Sequence, residues 1–378
     1  MLHDTGHTAA LCPELTACLE RHILGPEVAP GAVLHIAVYR SGWRWASAAV
    51  GVRSPSSQAR VSTATPYDLA SLTKSLTAIA IGRMVERDQL AWNTQLQECG
   101  IGQGTAVASA TIEALAGHRS GLRAHIALYD ALERGEAVSR EDTMLRIFQA
   151  RQTLADGSFR TQAEYSDLGY ILLGQVLGQR GRCSLSDWQR QDLLRPLQLD
   201  IDTAEAWRSR DPRFEQRVAP TETIAWRGGE LVGIVHDENA WLLSAQEQSG
   251  HAGLFGTAGA VAKLGRELVD CVHSRSARLL QSRTLARMLR DPGDGATLRM
   301  GFDSKANSDS SAGRLFGENS FGHLGFTGTS LWCDPDAQVV VALLTNRVCP
   351  SREKLGIRTA RPAIHDEAFS LTTSSLWS

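Results

Sequence analysis

The segments with the strongest strand character lie at opposite ends of the chain. GAVLHIAVYRSGWRWASAAVGV, residues 31 to 52, reads as two β-rich runs around the turn pair Ser41-Gly42, a hairpin. TGTSLWCDPDAQVVVALLTN, residues 327 to 346, reads as two more strands joined at Asp334-Pro335-Asp336. From about 75 to 200 the pattern is mostly helical. The expectation is one sheet assembled from the two chain ends, with a helical insertion between them.

Local signals fill in this outline. Residues 12 to 24 place Leu15, Leu19, Ile23 and Leu24 on one helical face. Ser139 with Asp142 forms a helix-starting cap ahead of TMLRIFQA, and DLGYILLGQVLGQRG reads as a helix closed by its glycine. Residues 291 to 322, rich in Gly, Ser, Asp and Asn, read as loop around one short strand. RTARPAIHDEAFSLT predicts a terminal helix entered after Pro362. No internal repeat or coiled coil is visible.

Composition excludes several classes. At 378 residues, 43% apolar and 21% charged, the chain can bury a large core. Its 39 basic and 41 acidic residues nearly cancel, which gives no basis for a nucleic-acid partner or a membrane surface. No apolar run is long enough to span a membrane, and the first 22 residues lack the pattern of a secretory leader. The seven cysteines are an odd number without CxxC spacing, as expected of reduced thiols. Together these point to the cytoplasm.

Against this background the stretch YDLASLTKSLTAIAIGRMVE, residues 67 to 86, stands out. It spends one of only four lysines three positions after Ser71, where an apolar helix begins. As a surface residue Lys74 would lay its stem along apolar neighbours. As part of a site it would partner a nucleophile one helical turn away. A second such pair, Ser351 and Lys354, lies in the polar stretch PSREKLG and reads as solvated surface.

Two further motifs decide in favour of the site. Tyr165-Ser166-Asp167 follows Ser71 by 94 residues, and His323-Leu324-Gly325 follows Tyr165 by 158. In order and spacing these resemble the Ser-x-x-Lys, Tyr-x-Asn and Lys/His-Thr-Gly motifs of the serine β-lactamase and penicillin-binding-protein-like hydrolases, especially the class C-like branch. The flanks LAGHRSGLRAH, GHAGLFGTA and LLTNRVCPSR are similar too. The resemblance runs from about residue 30 to the C-terminus. It implies an α/β (α+β) fold, an antiparallel sheet flanked by helices (residues 1–70 and 255–378) with a mainly helical subdomain (75–250). The site would lie in the cleft between them, with no cofactor and no metal.

The chemistry explains the residue types. A serine hydroxyl needs a base to become a nucleophile. At a helix start Ser71 also gains from the positive end of the dipole as an oxyanion develops. The base is either a neutral Lys74 or a Tyr165 phenolate held beside a cationic Lys74. The resemblance implies an oxyanion hole from the backbone N–H groups of Ser71 and Phe326, with His323, Leu324 and Gly325 on the substrate side. Gly325 would let that strand lie close to substrate.

Two positions depart from the family pattern. Leu324 replaces a threonine whose hydroxyl helps bind a substrate carboxylate, and leucine has no donor. Asp167 replaces an asparagine on the substrate side, and as a carboxylate near Lys74 it would favour the charged lysine.

The stretch IVHDENAWLLSAQEQSGHAGLF holds His236, Asp237, Glu238 and His251, but their spacing matches no zinc template. With FGHLGFTGTSLW it is similar to a narrower group including muropeptide amidases and the penicillin-binding protein 4B type. This makes His236 and Asn239 candidates for substrate contact. The expected function is a serine hydrolase acting through a Ser71 acyl-enzyme on an amide or peptide bond of a cell-wall-derived muropeptide, its expected partner being a small-molecule or muropeptide substrate. Alternatives are a carboxylesterase, a weak β-lactamase or D,D-peptidase, and a non-catalytic sensor.

Overall fold

The structure, a computed structural model, describes residues 6–244, 248–373 and 377. The leader reading of the N-terminus includes residues 1–5, which lie outside the described residues.

The strands from the two chain ends form one antiparallel sheet, as expected. Strands β1 (Gly31–Tyr39) and β2 (Trp43–Gly51) make the first hairpin, and β10 (Ser330–Asp334) and β11 (Val339–Thr345) the second. With β8 (Asp303–Ser304) and β9 (Phe321–Leu324) the order is β2-β1-β11-β10-β9-β8. The ends meet where β1 pairs with β11, Val33 opposite Leu344 and Ile36 opposite Val341.

Alternation along the central strands builds two cores. Val33, Val340, Ala342 and Leu344 face one layer; Leu34, Ile36, Val341 and Leu343 face the other. Helices α1 (Cys12–Leu19) and α5 (Ile357–Leu371) cover the second face. Helices α2 (Thr73–Glu86) and α4 (Ala258–Val272) cover the first, with Ile79, Ile81, Leu264 and Leu268 fully or almost fully buried. Each such side chain contributes roughly 1.5–3 kcal/mol of burial free energy.

Between α2 and residue 250 the chain is largely helical, and α3 (Asp167–Gly181) packs against α2. Two small sheets interrupt it. Strands β3 (Tyr67–Asp68), β7 (Leu254–Gly256) and β4 (Ile201–Thr203) form one, in the order β3-β7-β4. Strands β5 (Thr223–Ile224) and β6 (Gly229–Glu230) form the other. Segments of two or three residues are too short to show a period.

Two helix ends differ from expectation. Helix α5 begins at Ile357, so Pro362 lies inside it rather than ahead of it. Burial of Ile357, Ala360, Ile364 and Ala368 outweighs the one backbone bond that a proline forfeits. Helix α3 ends in a left-handed residue, but that residue is Arg182. Gly181 is needed for close packing, because a Cβ there would meet the Trp188 ring at 2.5 Å. The Ser139 cap forms as expected, its hydroxyl accepting the Asp142 N–H at 2.9 Å.

Candidate active site

Ser71 sits in a single 3-10 turn, Ala70–Leu72, between β3 and α2. Ala70 adopts φ +46°, a strained value for a residue with a Cβ. The buried Asp68 holds this turn: one carboxylate oxygen accepts the Ala70 N–H at 2.8 Å, the other the His236 N–H at 2.7 Å. From the far side, the Thr327 hydroxyl donates to Asp68 O and the Thr329 hydroxyl to Leu69 O. Helix α2 starts without a side-chain cap, so the positive end of its dipole stays open beside Ser71.

Lys74 is wholly buried and is not the surface residue of the alternative reading. Its ammonium donates to Ser71 Oγ at 2.8 Å and His251 O at 3.2 Å, and pairs with Asp167 Oδ1 at 2.8 Å. Burial acts to lower its pKa, but Asp167 and Tyr165 together outweigh it and the net shift is upward. Asp167 responds in kind: burial would raise it, yet Lys74 and His125 hold it well below the carboxylate range. This lysine is a cation with no lone pair to offer.

Asp167 is the first residue of α3, after Ser166 as N-cap. Tyr165 therefore stands at the helix entrance, lining the cleft and 37% exposed as a whole residue. The Lys74 ammonium is 4.9 Å from its ring centroid, and its hydroxyl is within reach of Lys74 and Ser71. Burial raises the phenol pKa, Lys74 opposes this, and the net shift is upward, so the resting phenol is neutral.

His118, to which no sequence motif assigns a role, fixes Tyr165 from both sides. Its carbonyl accepts the Glu164 N–H at 2.9 Å and its Nδ1 accepts the Ser166 N–H at 3.0 Å. Its ring stacks on the tyrosine at 4.7 Å, and burial depresses its pKa, keeping it neutral. LAGHRSGLRAH drew attention as a flank, but only the folded loop reveals this clamp.

The opposite wall comes from β9 and the turn after it. Strand β8 meets β9 at Gly322 and Phe321, leaving His323 and Leu324 beyond the β8–β9 pairing. His323 is buried, its Nδ1 against Leu324 O at 2.8 Å, and burial lowers its pKa to about 3. Its ring lies 6.0 Å from that of Tyr165. Leu324, Gly325 and Phe326 line a cleft of about 650 Å³ together with Ser71, Tyr165 and Asp167. Among the described residues, neither the Ser71 nor the Phe326 backbone N–H has a partner. The glycine at 325 lines the cleft and is also needed for packing. A Cβ there would collide with Thr329 Oγ1 and lie 2.6 Å from Leu69 O, so it lets this turn pack on the backbone leading to Ser71.

The other substrate-side candidates separate. His236 borders the cleft, but its Nε2 faces Glu222 at 2.9 Å and its ring stacks on Phe326 at 5.7 Å. Asn239 does not reach the cleft. It is completely buried, its amide donating to Ile126 O and accepting the Leu128 N–H, so it anchors the loop carrying His125. Its sequence neighbours misled because it lies on the inner face of the short helix Glu238–Leu243. His251 pairs with Asp237 at 2.8 Å. Ser351 and Lys354 form a turn in which Arg347 binds Lys354 O, with no bond between the pair among the described residues. A larger groove of about 740 Å³, lined by Asp187, Arg190, Asp202 and Arg210, holds mutually paired charges and no serine–lysine pair.

Comparison with known proteins agrees with this geometry. The "Beta-lactamase" family model matches residues 19–363. The chain is 28% identical over 345 residues to an N-acetylmuramyl-L-alanine amidase of Bacillus subtilis (strain 168), covering 84% of this chain and 77% of the relative. It is 26% identical over 332 residues to a putative D-alanyl-D-alanine carboxypeptidase of Escherichia coli (strain K12), covering 82% and 75%. The fold matches a class C beta lactamase from Rhodobacter sphaeroides with TM-score 0.68, at 14% identity, over 96% of this chain and 100% of the other. This chain belongs to the beta-lactamase family and is a serine hydrolase.

Proposed function

We propose that the protein cleaves an amide or peptide bond of a muropeptide-type substrate through an acyl-enzyme on Ser71. The observation that carries this is the 2.8 Å hydrogen bond from a fully buried Lys74 to Ser71 Oγ, at the base of an open cleft. The amide specificity leans on the amidase and carboxypeptidase names of the two relatives.

In this reading Tyr165 reacts as its phenolate, and Ser71 Oγ attacks the scissile carbonyl carbon while its proton passes to that phenolate oxygen. Lys74 is already cationic, so its task is to orient Ser71 and stabilise the phenolate. The backbone N–H groups of Ser71 and Phe326 receive the developing oxyanion. As the C–N bond breaks, Tyr165 returns the proton to the departing amine. Water then attacks the Ser71 ester by the same route in reverse.

The test is product analysis by mass spectrometry with N-acetylmuramyl-L-alanine as substrate, beside an activated ester. Release of alanine by the parent and not by Ser71→Ala is expected. Ester turnover without any amide turnover would shift the assignment to a carboxylesterase. Alanine release surviving Ser71→Ala would overturn the mechanism.

A further inference from the structure

On the sheet face covered by α1 and α5, three metal-ligating side chains converge. Helix α1 runs on into a π-turn, Glu20–Leu24. Cys18 and His22, four positions apart, lie on one side of it. Glu367, near the end of α5, reaches them from across the helix pair. One donor atom each from Cys18, His22 and Glu367 all lie within 4.8 Å of one another. Among the described residues no other three cysteine, histidine or acidic side chains bring their donors together in this way. His236 with Glu222 and His251 with Asp237 are pairs without a third such donor.

Their burial is graded. Cys18 is wholly buried, while the His22 and Glu367 side chains are 24% and 29% exposed. The space they share has a dry thiol end and a wet end where water can complete a coordination shell. Thiolate sulfur, imidazole nitrogen and carboxylate oxygen form a mixed donor set that zinc accepts, at bond lengths of about 2.3, 2.0 and 2.1 Å. Tetrahedral angles at those lengths put neighbouring donors about 3.3–3.6 Å apart, so a contraction of roughly 1 Å closes the site. His22 Nε2 and Glu367 Oε2 already stand 3.0 Å apart. Without an ion the Glu367 charge is met by Arg21, whose Nη1 reaches both carboxylate oxygens at 2.6 and 2.8 Å. The Arg21 side chain is 59% exposed, so this is a solvated pair that little free energy holds in place.

We propose that Cys18, His22 and Glu367 bind a zinc ion, with water in the fourth position, as a staple between α1 and α5. Binding exchanges the Cys18 S–H bond for a sulfur–zinc bond, and the proton leaves to solvent. Arg21 swings away from Glu367 into water. Helices α1 and α5 cover the same face of the sheet, and the first turns of α5 wall the cleft that holds Ser71. The ion therefore anchors the far end of a helix whose near end borders the active site. An ion that binds the folded chain and not the unfolded one stabilises it by mass action, so the consequence is read in thermal stability. None of the three ligands lines the cleft, and the site stands independently of the acyl-enzyme reading.

The full chain, stripped with a chelator and dialysed, is titrated with zinc chloride while the melting temperature is followed. Cobalt(II) chloride serves as the spectroscopic substitute. The parent should take up one ion per chain, gain several degrees in Tm, and show a thiolate-to-cobalt charge-transfer band. Cys18→Ser should remove the band. His22→Gln, at a part-exposed position that guards against misfolding, should weaken zinc binding tenfold or more. Arg21→Gln separates a metal site from a bare ion-pair cluster: without the competing guanidinium, zinc should bind several-fold more tightly. A parent Tm unmoved by zinc, a cobalt band of equal strength in Cys18→Ser, or zinc affinity unchanged or weakened in Arg21→Gln would overturn the site.

Discussion

Replacing Gly325 with alanine tests whether the separation between two backbone segments sets the site. The new Cβ would lie 2.6 Å from Leu69 O, about 0.8 Å short of the 3.4 Å at which ordinary contact begins, and would also collide with Thr329 Oγ1. Leu69 cannot yield readily, because its N–H bonds Leu254 O and its carbonyl receives the Thr329 hydroxyl. The turn carrying Phe326 must therefore move away from Ser71. Removing one oxyanion donor typically costs 10²–10³ in kcat, about 2.7–4 kcal/mol, and a 1 Å misplacement is of similar consequence. Overpacking alone costs about 1–3 kcal/mol of stability. The assay is kcat and KM on an activated ester, with the melting temperature measured alongside. Gly325→Ala should lose two to three orders of magnitude in kcat with a modest fall in Tm. Adding Thr329→Ala should recover stability but little activity, since the Leu69 carbonyl remains. A folded Gly325→Ala enzyme within a few-fold of the parent kcat would refute the reasoning.

Tyr165→Phe should abolish acylation while keeping the stacking on His118 that holds the α3 entrance, as read by burst kinetics and Tm. Asp167→Asn removes a negative charge that raises the pKa of both Tyr165 and Lys74. Activity requires the phenolate, so the acidic limb of the kcat/KM profile should move to lower pH. An unmoved limb with Tyr165→Phe still active would return the base role to Lys74. Leu324→Thr should improve nitrocefin turnover by roughly one neutral hydrogen bond, about 0.5–1.5 kcal/mol. A parent enzyme that hydrolyses nitrocefin as fast as its best ester would contradict the importance of that missing hydroxyl.

The sheet was legible because its central strands are long, β-branched and flanked by turn residues, so β1, β2, β10 and β11 announce themselves locally. Strands β3, β4 and β7 were not, since their pairing is entirely non-local. The Pro362 boundary failed because a tertiary face, anchored by Ile357, overrode a local rule. In the site, Ser71, Lys74 and Tyr165 were readable from residue types that nucleophilic chemistry demands, at motif spacing. The Asp167–Lys74 pair followed from the aspartate replacing an amide. His118 left no trace in any local pattern, because its meaning lies in a partner 48 residues away. Asn239 misled for the same reason: its sequence neighbours border the cleft while its own amide points inward.

The central claim is that one serine, oriented by a buried lysine, takes the acyl group. Intact-protein mass spectrometry after a fluorophosphonate probe tests it most directly, followed by peptide mapping. A single adduct on Ser71, absent from Ser71→Ala and strongly diminished in a folded Lys74→Ala, is the expected result. An adduct on Ser351, or one that persists in Ser71→Ala, would contradict it.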